Sequence, residues 1–207
     1  MPIPVLSAFV IIFILWLQYE LRKSSKSSKI ASDSFWDKEN KSNLVRRADI
    51  SGLNYITIHS EELPLNENED ETINSYRDII LGLANKKILN LSGCTNTDLK
   101  NKYGAANFPQ LLEYDNNYTI LVSILQKWAE RLSHKGDIQE AKAVLEYAIS
   151  IGSDVTNTYK LLAEIYRKQE TPEKIDALIK TVSELAIHDQ DKLITDLKAI
   201  QFSRPIL

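Results

Sequence analysis

One internal repeat constrains this chain more than any other feature. Residues 122–155 align with residues 156–189, end to end and without a gap. In the first unit, Leu125, Trp128, Ala129 and Leu132 recur at helical spacing. The same places in the second hold Tyr159, Leu162, Ala163 and Tyr166. Farther along, Ala141, Leu145 and Ala148 align with Ile175, Ile179 and Val182. Three- and four-residue spacing is the mark of a helix with one apolar stripe. Two such stripes per unit, separated by Gly136-Asp137 and by Thr171-Pro172, describe a helical hairpin that is then repeated. A small residue (Ala129, Ala163) lets the two helices approach. A bulky one a turn later (Leu132, Tyr166) fills the groove between them.

The stretches WAERLSHKGDIQEAKAVLEYAISIG and YKLLAEIYRKQETPEKIDALIKTVSEL resemble the tetratricopeptide repeat. The unit length, about 34 residues, is also that family's. Three places depart from the family pattern: Glu170 stands where a turn glycine is usual, Ile175 where a small residue is usual, and Ser153 where proline commonly ends the unit. The resemblance covers about a third of the chain. It implies an all-α fold of antiparallel hairpins, with a protein or peptide partner held on the concave face. In this register that face carries Ser123, Gln126, Glu130, Ser133 and His134 from the first unit, then Asn157, Lys160, Glu164 and Arg167 from the second. Family members that grip a partner's C-terminal carboxylate carry a lysine and an asparagine one turn apart. Gln126 and Glu130 occupy those places here, which argues against that particular ligand. Two hairpins bury too little surface to stand alone, so capping helices are expected over 98–114 and from about Gln190 to Ile200.

The N-terminus reads IPVLSAFVIIFILWL within an uncharged run from Met1 to Tyr19. About 19 residues at about 1.5 Å each just cross a hydrocarbon core of about 30 Å. Trp16 and Tyr19 fall where an interfacial aromatic belt would lie. No Lys or Arg precedes the run, while Arg22, Lys23, Lys26 and Lys29 follow it. The positive-inside rule then sets the N-terminus outside and the rest in the cytoplasm. A cleaved signal peptide would place its charge before the apolar stretch and a small-residue site after it, and neither is present. Leu91-Ser92-Gly93-Cys94 spells a lipobox, but far from any apolar run. Asn90-Leu91-Ser92 and Asn117-Tyr118-Thr119 fit the glycosylation pattern, which has no use on a cytoplasmic face.

The expected organisation is therefore a transmembrane anchor over 1–21, a basic Ser/Lys linker over 22–34, an irregular and helical region over 35–96, and a tetratricopeptide-like helical domain over 97–207. Within the third region, Tyr55-Ile56-Thr57-Ile58 reads as an extended segment lying along helices, and a helix is expected from Asp70. Phe108 to Tyr114 reads as another short helix, with Pro109 in its first turn. The arrangement resembles membrane-anchored tetratricopeptide proteins of Gram-positive bacteria.

Composition narrows the function classes. With 25 basic and 28 acidic residues, the net charge of −3 lacks the basic excess of a nucleic-acid binder. His59, His134 and His188 are too dispersed for a metal site. No phosphate loop, dinucleotide fingerprint or nucleophile elbow is present, and no cofactor is expected. The single cysteine, Cys94, has no partner for an internal disulfide. These readings converge on a non-enzymatic, membrane-tethered adaptor or scaffold. The alternative is a subunit or assembly factor of a membrane complex that packs through its transmembrane helix.

Overall fold

The computed structural model describes residues 13–14, 16–21, 33, 35–185 and 189–203. Among them the regular structure is entirely helical. Helix α1 covers residues 35–43. It is followed by α2 (Glu71–Leu83), α3 (Asn96–Tyr103), α4 (Phe108–Lys135), α5 (Ile138–Ser150), α6 (Thr156–Lys168), α7 (Pro172–Glu184) and α8 (Gln190–Phe202). Of the expected anchor, residues 13–14 and 16–21 are described and helical. Phe13, Trp16, Tyr19 and Leu21 are each more than half exposed. No helix among the described residues is long and apolar enough to cross a membrane. The rest of that segment, and the expected linker apart from Asp33, lie outside the described residues.

The chain divides into two compact units: Ser51–Cys94 with Pro109–Leu207, and Met1–Ile50 with Thr95–Phe108. Residues 95–108, which include the start of the expected 97–207 domain, thus group with the N-terminal segment.

In the larger unit, the repeat is visible in the helix boundaries themselves. Helices α5 and α7 begin at residues 138 and 172 and end at 150 and 184; α6 and α8 begin at 156 and 190 and end at 168 and 202. Every one of these boundaries is displaced by the same step that carries residue 122 onto residue 156, and the four helices are equal in length. Helix α8, expected as a cap, thus occupies the place of the first helix of a third unit. It packs on both α6 and α7.

Short connections force consecutive helices to lie antiparallel. Gly136, at φ +97°, turns the chain from α4 into α5. Glu170, at the equivalent place before α7, adopts φ +55° in spite of its side chain. Ser153 is buried where a proline would be usual, and its carbonyl accepts the Tyr159 hydroxyl at 2.7 Å. The core is built by the residues of the repeat: Trp128, Ala129, Leu132, Ala141, Leu145, Ala148, Leu162 and Ala163 are all fully or almost fully buried.

The helix expected over 108–114 is the start of the 28-residue α4, about 42 Å long. Residues Asp115 to Thr119 are indifferent helix formers, but tertiary partners hold them. Asn117 donates to the Lys87 carbonyl at 3.0 Å and Tyr118 to the Gly152 carbonyl at 2.7 Å. The end of the array at α4 is covered by α2 and the segment before it. Ile58, Ile73, Ile80, Leu83 and Ile88 join the same core as Tyr118, Leu121 and Leu125. Residues 54–58 form no regular structure, and the Ile56 N–H donates to the Ile88 carbonyl at 2.9 Å. Helix α2 is capped by Asp70, which accepts the Thr72 N–H at 2.9 Å and pairs with Arg131 of α4 at 2.7 Å.

In the smaller unit, α1 lies against α3. The Glu39 carboxylate takes the Lys100 ammonium and, at 3.0 Å, the Thr97 hydroxyl. Thr95 and Asp98 close a reciprocal capping box at the start of α3. Gly104 ends it at φ +85°, ψ +144°, a region open essentially to glycine alone. A Cβ there would lie 2.7 Å from the Arg46 carbonyl oxygen.

Candidate functional site

The first helices of successive units are the C-terminal half of α4, then α6 and α8. Their outward residues form the expected binding face, and the structure sorts these into three groups.

The first group is engaged internally. Gln126, expected to face outward, is 6% exposed. Its Oε1 accepts from the Thr158 hydroxyl at 2.7 Å, and its Nε2 donates to Glu130 at 3.1 Å. Asn157 Nδ2 donates to the same Glu130 oxygen at 2.5 Å. Three of the candidate residues, Gln126, Glu130 and Asn157, are thus brought together, but as one network joining α4 to α6. The expectation that Gln126 is free to contact a partner is corrected by its burial. Thr158, itself fully buried, closes the groove over it.

The second group is an ion pair. Lys160 of α6 lies 2.6 Å from Asp196 of α8, both about one-third exposed. The hydrogen bond from Lys160 holds the Asp196 carboxyl below the usual carboxylate range. Lys160 therefore fastens the third-unit helix to the second.

The third group is open. Glu164 and Arg167 line a hollow of about 910 Å³ with Lys168, Pro172, Gln201 and Ser203, and the buried Ile175 also borders it. Gln201 fixes one rim by donating to Asp176 at 2.9 Å. The charges in this hollow are mixed, Arg167 and Lys168 set beside Glu164 and Glu170. His134, one turn beyond Glu130, is exposed at the last turn of α4 and does not line this hollow.

Toward the second helices, Tyr166 of α6 donates to Glu146 of α5 at 2.7 Å, and Lys174 of α7 stands 5.0 Å above its ring. Burial, followed by the Glu146 carboxylate, pushes the Tyr166 hydroxyl well up from its ordinary value. Burial likewise pushes Tyr159 up to about 12. Both hydroxyls act as donors, Tyr166 joining α6 to α5 and Tyr159 fastening the turn that precedes α6. No cluster of three metal-ligating side chains occurs among the described residues.

Thr158, Asp196 and Gln201 are not among the residues the sequence singles out. A signal for the last two exists: continuing the repeat one step sets Asp196 at the place of Leu162 and Gln201 at the place of Arg167. No protein-family model, curated protein or solved structure matches the chain.

Proposed function

We propose that the chain is a membrane-tethered adaptor that holds a protein or peptide partner on tetratricopeptide-like repeats. In this reading residues 1–21 are the anchor, the N-terminus is outside, and the repeats stand in the cytoplasm. The observation that carries it is the regular repetition of helix boundaries through α8, which supplies three successive first helices with one common face. An array of stacked hairpins offers an extended surface without a deep catalytic pocket, which suits recognition better than chemistry. The exposed apolar side chains of Phe13, Ile14, Trp16 and Leu17 support the anchor, because a helix with no polar face is stable in lipid and not in water.

The binding role falls on Glu164 and Arg167, the candidates without an internal pair that also line the hollow. Crosslinking in intact membranes followed by capture of the full chain tests it. A specific crosslinked species is expected, and Arg167→Glu with Glu164→Lys should abolish it while leaving the helical signal intact. Capture unchanged by that pair of substitutions refutes the assignment. Lys160 is unsuitable for this test, since its replacement also breaks the pair with Asp196.

The exposed aromatic and aliphatic side chains between Phe13 and Leu21 also favour a second reading, a subunit packed through its anchor. Exchanging the segment Met1 to Leu21 for an unrelated membrane span separates the two. An adaptor retains its partner after the exchange, and a subunit held by its membrane helix loses it.

A further inference from the structure

Helix α1 leaves its first turn uncovered. Phe35 and Trp36 are 55% and 58% exposed, although their rings pack edge to face at 5.6 Å. The helix is held from its next turn onward: Glu39 by Lys100 and Thr97, and Ser42 fully buried with its hydroxyl donating to the Glu39 carbonyl at 2.7 Å. The aromatic pair therefore borders a hollow with Glu39, Thr97 and Lys100 and keeps more than half of its surface exposed. Beyond α1, Leu44 is 87% exposed. Two large aromatic rings left in water on so small a unit need a cover.

The chain itself says what lies nearby. Only the short stretch from Arg22 to Ser34 separates the proposed anchor from Phe35. Even fully extended it reaches no farther than about 50 Å. The stretch carries Arg22, Lys23, Lys26 and Lys29, which are drawn to an anionic leaflet, so the favoured position of residue 35 is nearer still. Tryptophan and phenylalanine at the water–lipid boundary bury their rings among headgroups while neighbouring polar groups stay wet. Helix α1 itself is charge-balanced, Lys38 and Lys41 against Asp37 and Glu39, so the cationic attraction comes from the linker.

From this geometry we infer that Phe35 and Trp36 form a second membrane contact, seating α1 in the interfacial layer of an anionic bilayer. The inference rests on the anchor reading. It assigns the N-terminal unit a task distinct from partner binding: it fixes the point at which the chain leaves the membrane surface. The basic linker and the aromatic pair then act as two weak signals on one tether, a combination that holds where either alone would not.

The test uses the full chain with Cys94→Ser, reconstituted in phosphatidylethanolamine–phosphatidylglycerol vesicles. A polarity-sensitive fluorophore is attached at Asn40→Cys, one turn from Trp36, and in a second preparation at Ser183→Cys. Nitroxide lipids labelled near the headgroup serve as quenchers. Alkaline carbonate extraction of the same vesicles reports the anchor. Retention after extraction, blue-shifted and quenched emission at position 40, unquenched emission at position 183, and loss of quenching at 40 in Phe35→Ser/Trp36→Ser support the inference. Retention without quenching at 40 overturns it and leaves the anchor standing. That outcome includes a blue shift without quenching, the mark of a protein cover. Extraction of the chain by carbonate overturns both. The serine variants alter only exposed side chains, so an unchanged helical spectrum is expected of them.

Discussion

Replacing Thr158 with valine keeps the side chain's shape and deletes one hydroxyl from a fully buried position. That hydroxyl is the donor to Gln126 Oε1 at 2.7 Å, and Gln126 is itself buried. Without it the amide oxygen loses its protein partner. An unsatisfied buried acceptor costs about 1–3 kcal/mol. Gln126 retains a sliver of exposure and its Nε2 bond to Glu130, and the added methyl is buried, so the lower half of that range applies. The expected loss is about 1–2 kcal/mol. Replacing both partners, Thr158→Val with Gln126→Leu, removes donor and acceptor together and should recover about 1 kcal/mol of it. Urea unfolding of the full chain in mild detergent, followed by far-ultraviolet circular dichroism, reads both quantities. At a slope of about 2 kcal/mol per molar, the single substitution lowers the midpoint by about 0.5–1 M. A single variant within about 0.3 kcal/mol of the parent, or a double variant less stable than the single, would refute the view that this network is structural. In that event Gln126 returns to the list of groups available to a partner.

Other perturbations address separate parts of the molecule. Gly104→Ala forces a side chain into a glycine-only backbone region and against the Arg46 carbonyl at 2.7 Å. It should cost the N-terminal unit at least about 2 kcal/mol and appear as faster proteolysis at Arg46-Arg47. Glu170→Gly relieves a left-handed turn residue before α7 and should raise stability by up to about 1 kcal/mol, read as a higher urea midpoint. Asp70 is held below the usual carboxylate range first by its hydrogen bond from Arg131 and then by the Thr72 N–H. A depressed folded value means the contribution is full above the ordinary aspartate pKa of about 3.9 and fades as pH falls through the folded value. Asp70→Asn should therefore flatten the decline of stability below about pH 4, and an unchanged acid limb would remove Asp70 from its causes.

The legible part of the fold is the part whose residues answer only to their own hairpin. Trp128 with Ala129, and Leu162 with Ala163, carry a helical period and a packing reason in the same residues, and all four are buried as that pattern requires. Ile175, at a small residue's place, is also buried, so the departure is absorbed by packing. What stays hidden depends on partners remote in sequence. Asn117 and Tyr118 read as a break after a short helix, yet their hydrogen bonds to the Lys87 and Gly152 carbonyls carry α4 straight through. Residues 98–114 read as a cap for the repeats because they precede them. Their side-chain partners, Glu39 for Lys100 and Arg47 for Asn107, lie far earlier in the chain. Neither pairing leaves a periodic trace.

The candidate face shows the same division. Outwardness along one helix follows from period alone, so Gln126, Lys160 and Arg167 all read as outward in sequence. Their environments are not, because the next first helix along the array decides which polar groups are already spoken for. Thr158 of α6 closes over Gln126, and Asp196 of α8 takes Lys160. Arg167, farther along the same helix, meets no such partner: the equivalent place on α8 is Gln201, which turns to Asp176 instead. In a stack of this kind, each added hairpin converts part of its predecessor's face from a surface into a seam. Glu164 and Arg167 stay open because they border the hollow that the end of α8, at Gln201 and Ser203, leaves unfilled.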